Sequence, residues 1–192
     1  MASDDVSSTG RRESWHKFFM RDARLWSTRS TCSKWRVGCV ITLDRRSIST
    51  GYNGSAPGAE HCCDYWRREW SRLSENENLR CESLEDFLKT LYFRAIHRTW
   101  SREYEFHAEH NAILDARKRE QSIEGSTLYT TLSPCLECAR HILDAGIACV
   151  YYETLKDTDG LELLRDAGIF CEQIMLNDSC VAHPRAARFL VE

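Results

Sequence analysis

The sequence predicts an α/β fold, one sheet with helices on both of its faces. Three observations lead to that class. Beyond residue 107, helix-like and strand-like segments alternate with short connections between them. Before that point, two β-branched segments flank a short polar break, as in a hairpin. Ahead of both lies a stretch whose apolar residues recur at helical spacing.

Residues 1–12 hold Ser, Asp and Arg with almost nothing apolar, and a frayed tail is expected. From Trp15, the positions of Phe18, Phe19, Ala23, Leu25 and Trp26 define a first amphipathic helix that ends near Ser30. Val37–Thr42 and Ile48–Tyr52 are strands by their β-branched content, joined through Asp44-Arg45-Arg46. The segment 54–105 differs in character: Gly and Pro at its start, then Trp, Arg and Glu in alternation. It reads as an insertion. Within it, Ser83 and Asp86 resemble a capping box, and Leu84, Phe87, Leu88, Leu91, Tyr92, Ala95 and Ile96 predict one helix. A regular series follows. A helix over Ala108–Lys118 leads to a strand Thr127–Thr131 and a helix Pro134–Ala145 closed by Gly146. A strand Cys149–Glu153, a helix Asp159–Ala167 closed by Gly168 and a strand near Ile169–Ile174 complete it. Residues 1–192 are read as a single domain without repeats.

At 192 residues and 42% hydrophobic content the chain can bury one substantial core. It has no apolar run of membrane-spanning length and no leader-like N-terminus, which predicts a cytoplasmic protein. A net charge of −3 disfavours nucleic acid, whose recognition draws on a basic surplus. Ten cysteines in a chain without an export signal read as reduced thiols and metal ligands.

His107-Ala108-Glu109, followed by Pro134-Cys135-Leu136-Glu137-Cys138, carries the strongest chemical signal. Cys135 and Cys138, three apart on a helix begun by Pro134, would share one face and bridge a tetrahedral zinc. His107 and Glu109 are two apart and diverge on a regular helix, so one of them must stand at the helix entrance. Three protein ligands leave the fourth position of a catalytic zinc to water, whose pKa the metal lowers. Glu109 would accept the water proton, pass it to a ring nitrogen and later help ammonia depart. This pairing is a recognised signature of zinc-dependent nucleobase deaminases. A lone C-x-x-C would instead read as a structural zinc or a redox pair; the upstream H-A-E weighs against that.

Longer motifs carry a family resemblance. Thr-Gly-Tyr-Asn-Gly-Ser at 50–55, His-Ala-Glu-His-Asn-Ala-Ile at 107–113 and Thr-Leu-Ser-Pro-Cys-Leu-Glu-Cys-Ala at 131–139 resemble the deoxycytidylate (dCMP) deaminases. Cys-Ser-Lys-Trp-Arg-Val-Gly at 32–38, His-Cys-Cys-Asp-Tyr at 61–65 and the run from His97 through Trp100 to Glu105 resemble the tailed-phage branch. The resemblance spans roughly residues 24–174. It implies a three-layer αβα cytidine deaminase-like fold with a mixed five-stranded sheet. It also implies hydrolysis of dCMP to dUMP and ammonia, which supplies dUMP for thymidylate synthesis. A homo-hexamer activated by dCTP and inhibited by dTTP, with Mg accompanying the triphosphate effector, belongs to the same set of expectations.

The resemblance implies that Asn53 binds the deoxyribose, where Asn53-Gly54 could alternatively be a tight turn. It also implies a second, structural zinc held by Cys32, Cys62, His97 and Glu105. Buried reduced thiols are the alternative, and Cys63 or His61 could replace a ligand. Ala108, Leu132 and Ser133 are expected in the substrate pocket, Ser133 through backbone groups that read the base. Lys34 and Arg36, or Lys118 and Arg119, are candidates for the phosphate; Arg36 is favoured among them, although a solvated basic face is the commoner meaning of such residues. Trp66, Trp70 and Trp100 could stack on a base or fill the core. Asp115 replaces an aromatic residue of phage relatives and bears on assembly and regulation. Competing functions are deamination of dCTP or of both nucleotides, editing of a base within nucleic acid, and a non-catalytic zinc-binding effector module.

Overall fold

The computed structural model describes residues 13–74 and 81–176; the tail expected over 1–12 and residues 75–80 of the expected insertion lie outside the described residues. In chain order the first elements are α1 (Trp15–Ser27), β1 (Gly38–Leu43), β2 (Arg46–Tyr52) and β3 (Gly54–Ser55). Next come α2 (Cys62–Leu73), α3 (Leu84–Lys89), α4 (Leu91–Tyr104) and β4 (Glu105–Phe106). The chain continues through α5 (Ala108–Lys118), β5 (Thr127–Leu132), α6 (Leu136–Asp144), β6 (Cys149–Thr154), α7 (Asp159–Asp166) and β7 (Phe170–Gln173).

Five strands form one sheet in the order β2-β1-β5-β6-β7. β1 pairs antiparallel with β2 and β5, whereas β5, β6 and β7 run parallel. The helices α6 and α7 supply the crossovers that parallel neighbours require. The β1–β2 hairpin closes through Asp44 and Arg45, both at positive φ (50° and 61°), a turn whose twist matches that of the flanking strands.

Successive residues of β1 show why both faces are covered. Cys39 and Ile41 join Ala112, Ile113, Leu128, Ile142 and Leu164 in the core beneath α5, α6 and α7. Val40 packs with Phe19, Met20, Ala23 and Tyr129 beneath α1. A strand buried on both sides reads as a continuous apolar run. The mixed sheet between helix layers is the arrangement the sequence predicts.

Between β3 and β4 the segment carries more helix than its sequence pattern suggests. Cys62, Trp66, Trp70 and Leu73 follow helical spacing along α2, but the Arg and Glu residues between them obscure it. The one helix expected from Leu84 to Ile96 is two. Thr90 divides them: its backbone is extended (φ −70°, ψ 154°), its hydroxyl donates to the Phe87 carbonyl (2.7 Å) and accepts from the Phe93 N–H (3.0 Å). Ser83 caps α3 as expected, accepting from the Asp86 N–H at 3.1 Å. Trp66, Phe87, Phe93 and Trp100 build a separate small core with Cys32 and Cys62, and Trp70 packs against it. The three tryptophans considered as stacking platforms are therefore packing residues.

Candidate active site

Two helix entrances make the site. His107 is the N-cap of α5, in extended conformation (φ −76°, ψ 156°), and Glu109 lies in the first turn. That break in helical geometry lets residues two apart converge on one point. Underneath, Gly51 of β2 comes so close that a Cβ there would sit 2.2 Å from the Ala108 carbonyl oxygen and 2.5 Å from the Ala112 nitrogen. On the other side the expectation of a helix starting at Pro134 is corrected. Pro134 is buried, Cys135 is the N-cap (φ −74°, ψ 170°) and α6 begins at Leu136. The pair Cys135 and Cys138 thus spans the helix entrance and does not share a helical face. The turn is set by Gly160 at the start of α7, whose Cβ would meet the Pro134 carbonyl oxygen at 2.2 Å. Two helix N-termini aimed at one spot favour thiolates and a carboxylate there.

His107 Nδ1 lies 3.2 Å from Cys138 Sγ and 3.4 Å from Cys135 Sγ. These separations approach the edge of about 3.5 Å that a tetrahedron with Zn–N near 2.0 Å and Zn–S near 2.3 Å would have. Hydrogen bonds from Cys138 and then His107 hold the Cys135 thiol down to about 3. Cys138 is pushed up by its hydrogen bond with Cys135 and by burial. His107 is raised to about 9, chiefly by its hydrogen bond to Cys135. A thiolate beside an imidazolium and a thiol is the donor set expected of a metal site before its protons leave.

Glu109 is buried, and burial raises its carboxyl pKa. One carboxylate oxygen accepts from Cys138 Sγ at 3.5 Å and the other from the Thr130 hydroxyl at 3.2 Å. Thr130, at the core of β5, was not a sequence candidate, because nothing in a strand pattern distinguishes a polar residue facing a functional group from one facing a neighbouring strand.

A cleft opens above this group and is lined by Asn53, Ala108, Ser133, Lys34, Lys156 and Trp35, among others. Asn53, Ala108 and Ser133 are therefore where the sequence reading expects them. Asn53 is not in a tight turn; Gly54 begins β3. Its Oδ1 accepts from the Ser30 hydroxyl (2.7 Å) and the Val37 N–H (2.8 Å), and its Nδ2 donates to the Trp35 carbonyl (2.9 Å). The second Nδ2 hydrogen remains for a ligand. Ser133 uses its N–H on the Thr154 carbonyl (2.8 Å), while its hydroxyl accepts from the Lys156 N–H (2.9 Å) and donates to the Asp157 carbonyl (3.1 Å). It holds the loop after β6 in place as part of the wall.

Arg36, the favoured phosphate candidate, is exposed and does not line the cleft. Asn53 grips the backbone on either side of it, at Trp35 and Val37, and turns residue 36 away. Lys118 and Arg119 lie at the far end of α5, where Arg119 pairs with Asp115. Asp115 also accepts from the Thr50 N–H at 3.4 Å. The lysine and arginine residues lining the cleft are Lys34, Arg98 and Lys156.

A second cluster lines the same cleft. Cys32, Cys62, His97 and Glu105 bring their ligand atoms within 4.8 Å of one another, and His97 Nε2 lies 3.4 Å from each sulfur. Glu105 Oε1 is buried without a hydrogen-bond partner among the described residues, and burial lifts its carboxyl to about 9. Four donors with an orphaned carboxylate oxygen suit a closed coordination shell. Cys63 and His61, the alternative ligands, are not part of the group. No helix among the described residues is long and apolar enough to cross a membrane.

Comparisons with known proteins agree with this geometry. Residues 13–154 match the family described as the cytidine and deoxycytidylate deaminase zinc-binding region. The deoxycytidylate deaminase of Enterobacteria phage T4 is 42% identical over 160 residues, covering 77% of this chain and 83% of that protein. ComE operon protein 2 of Bacillus subtilis (strain 168) is 34% identical over 172 residues, covering 88% and 76%. The crystal structure of the dCMP deaminase from cyanophage S-TIM5 in complex with dCMP and dUMP superposes with a TM-score of 0.62 at 26% identity, covering 86% of this chain and 100% of that one.

Proposed function

Because the chain belongs to the cytidine and deoxycytidylate deaminase family, we propose that it hydrolyses dCMP to dUMP and ammonia with a zinc ion held by His107, Cys135 and Cys138. The observation that carries this is the buried Glu109 carboxylate lying against that donor set at the base of a cleft. When bound, the ion supplies a water of lowered pKa. Glu109 accepts a proton from the attacking water, delivers it to the ring nitrogen beside the amine-bearing carbon, and relays a proton to the departing amine. Its raised pKa suits a group that must both take and give a proton near neutrality. Ala108, at the first position of α5, has an N–H without an intrahelical partner and lines the cleft, which supports its reading the base. The second Nδ2 hydrogen of Asn53 meets a sugar hydroxyl.

The reading extends to a second, structural zinc on Cys32, Cys62, His97 and Glu105, supported by the orphaned Glu105 oxygen. It extends also to a homo-hexamer activated by dCTP and inhibited by dTTP, with Mg accompanying the effector, on the strength of the family resemblance. A spectrophotometric assay for loss of the cytosine amine tests the activity on dCMP, dCTP, deoxycytidine and an oligonucleotide. The expected result is turnover of dCMP above the others, abolished in Glu109→Gln while zinc content stays unchanged. Full activity in Glu109→Gln, or no turnover of any cytosine compound by zinc-loaded protein, would count decisively against it.

A further inference from the structure

We propose that Lys34, Arg98 and Lys156 form the 5′-phosphate cradle of the cleft and that this cradle selects nucleotide over nucleoside. The inference rests on the reading of the site as a cytosine nucleotide deaminase, whose phosphate contacts the motifs leave unassigned.

The three cations come from separate parts of the chain: the segment before β1, helix α4 and the loop after β6. All three line the cleft that also contains His107 and Glu109. Among the described residues no carboxylate lies within ion-pair distance of any of them. The two carboxylates that line the cleft, Glu105 and Glu109, belong to the two thiol clusters. Like charges that line one cleft with no carboxylate at ion-pair distance repel one another, and an anion bound among them relieves that repulsion.

The exposure of the lining residues also suits a nucleotide. Glu109 is buried at the base, whereas Arg98 and Lys156 are exposed at the mouth. A base seated against Glu109 directs its 5′-phosphate outward, to that mouth. Each cation is held by its backbone. Lys34 follows Cys32 by two residues and Arg98 adjoins His97, so the Cys32–Cys62–His97–Glu105 cluster fixes two of the three. The Lys156 N–H is fixed by the Ser133 hydroxyl at 2.9 Å. The insertion thereby acquires a function: it brings cations to a pocket whose floor is built by the sheet helices.

The test uses the full zinc-loaded chain and the variants Lys34→Gln, Arg98→Gln, Lys156→Gln and Arg36→Gln. Two readouts are taken: kcat/KM on dCMP and on deoxycytidine, and calorimetric binding of dUMP, of deoxyuridine and of inorganic phosphate as competitor. Losing a charge-assisted hydrogen bond is expected to lower kcat/KM for dCMP about 10–100-fold, mainly through KM. Deoxycytidine turnover and deoxyuridine binding stay within about twofold, Lys156→Arg restores most of the loss, and Arg36→Gln changes nothing. Equal losses on nucleotide and nucleoside, or no loss in any cleft variant, overturn the cradle. If the wild-type chain deaminates neither compound, the functional reading fails, yet dUMP and phosphate binding still decide the cradle. Binding lost in the three cleft variants supports it, and binding retained, or absent from the wild type, overturns it.

Discussion

Thr130 has one hydroxyl proton and two acceptors within reach, Glu109 Oε1 at 3.2 Å and the Leu132 carbonyl at 3.1 Å. It can donate to an ionised Glu109, or donate to Leu132 while accepting from a protonated Glu109. The carboxyl thus keeps a partner on both sides of its proton transfer. Thr130→Val is expected to lower kcat about 2–10-fold with KM nearly unchanged and to shift the pH profile of kcat; a change confined to KM would assign the residue to binding instead. The metal ligands make a second prediction. At pH 7 His107, raised to about 9, holds its proton, Cys138 is pushed up and holds its own, and Cys135, near 3, has already lost one. Zinc uptake must displace the first two, so about two protons leave per ion. The sign follows: affinity rises with pH toward about 9, where His107 deprotonates unaided, and weakens as pH falls. Calorimetry in buffers of different ionisation enthalpy counts the protons, and release of none at pH 7 would contradict this assignment.

Single glycines set the helix entrances at the level of elements. Gly51 lets α5 cross β2 with backbone against backbone, and that crossing places His107 and Glu109. Gly51→Ala is expected to cost at least the roughly 1–3 kcal/mol typical of overpacking, because carbonyl and amide atoms cannot rotate aside as a side chain does. Its signature would be a lowered zinc content together with a lowered denaturation midpoint. A stable, zinc-replete Gly51→Ala protein would show that α5 can shift without losing the site. The same logic explains the two helix assignments that differ from the sequence pattern. Thr90 ends α3 and starts α4 through one hydroxyl, and hydrophobic periodicity runs straight across such a local cap. Charged residues along α2 dilute a helical stripe that is evident only once the small core it faces exists.

For the molecule as a whole, one cleft joins two donor clusters, the first on the sheet helices and the second tying Cys32 to the inserted helices. Metal removal is therefore expected to loosen the whole unit. Free zinc at about 1,000 times its Kd stabilises the native state by about 4 kcal/mol per site, and each kcal/mol moves Tm about 2–4 °C at this chain length. Chelation should lower Tm by roughly 10 °C or more, and an unchanged melting curve would argue against bound metal in the folded protein. Much of this architecture is legible in the chain itself. Alternating strands and helices, the H-A-E and P-C-x-x-C spacing, and the entrance position demanded of His107 all follow from local periodicity and ligand chemistry, which neighbouring residues are sufficient to encode. Arg36 and the tryptophans show the limit, since whether a side chain faces a cleft or a core depends on partners distant in sequence. By itself the sequence determined the fold class, the donor set of the candidate catalytic centre and the carboxylate proposed to carry its proton, because each is written in residue type and short spacing. Only the tertiary structure decided that Thr130 meets Glu109, that Arg98 and Lys156 join Lys34 in lining the cleft, and that Arg36 does not. Those juxtapositions are made by packing between segments tens of residues apart, which no local pattern records.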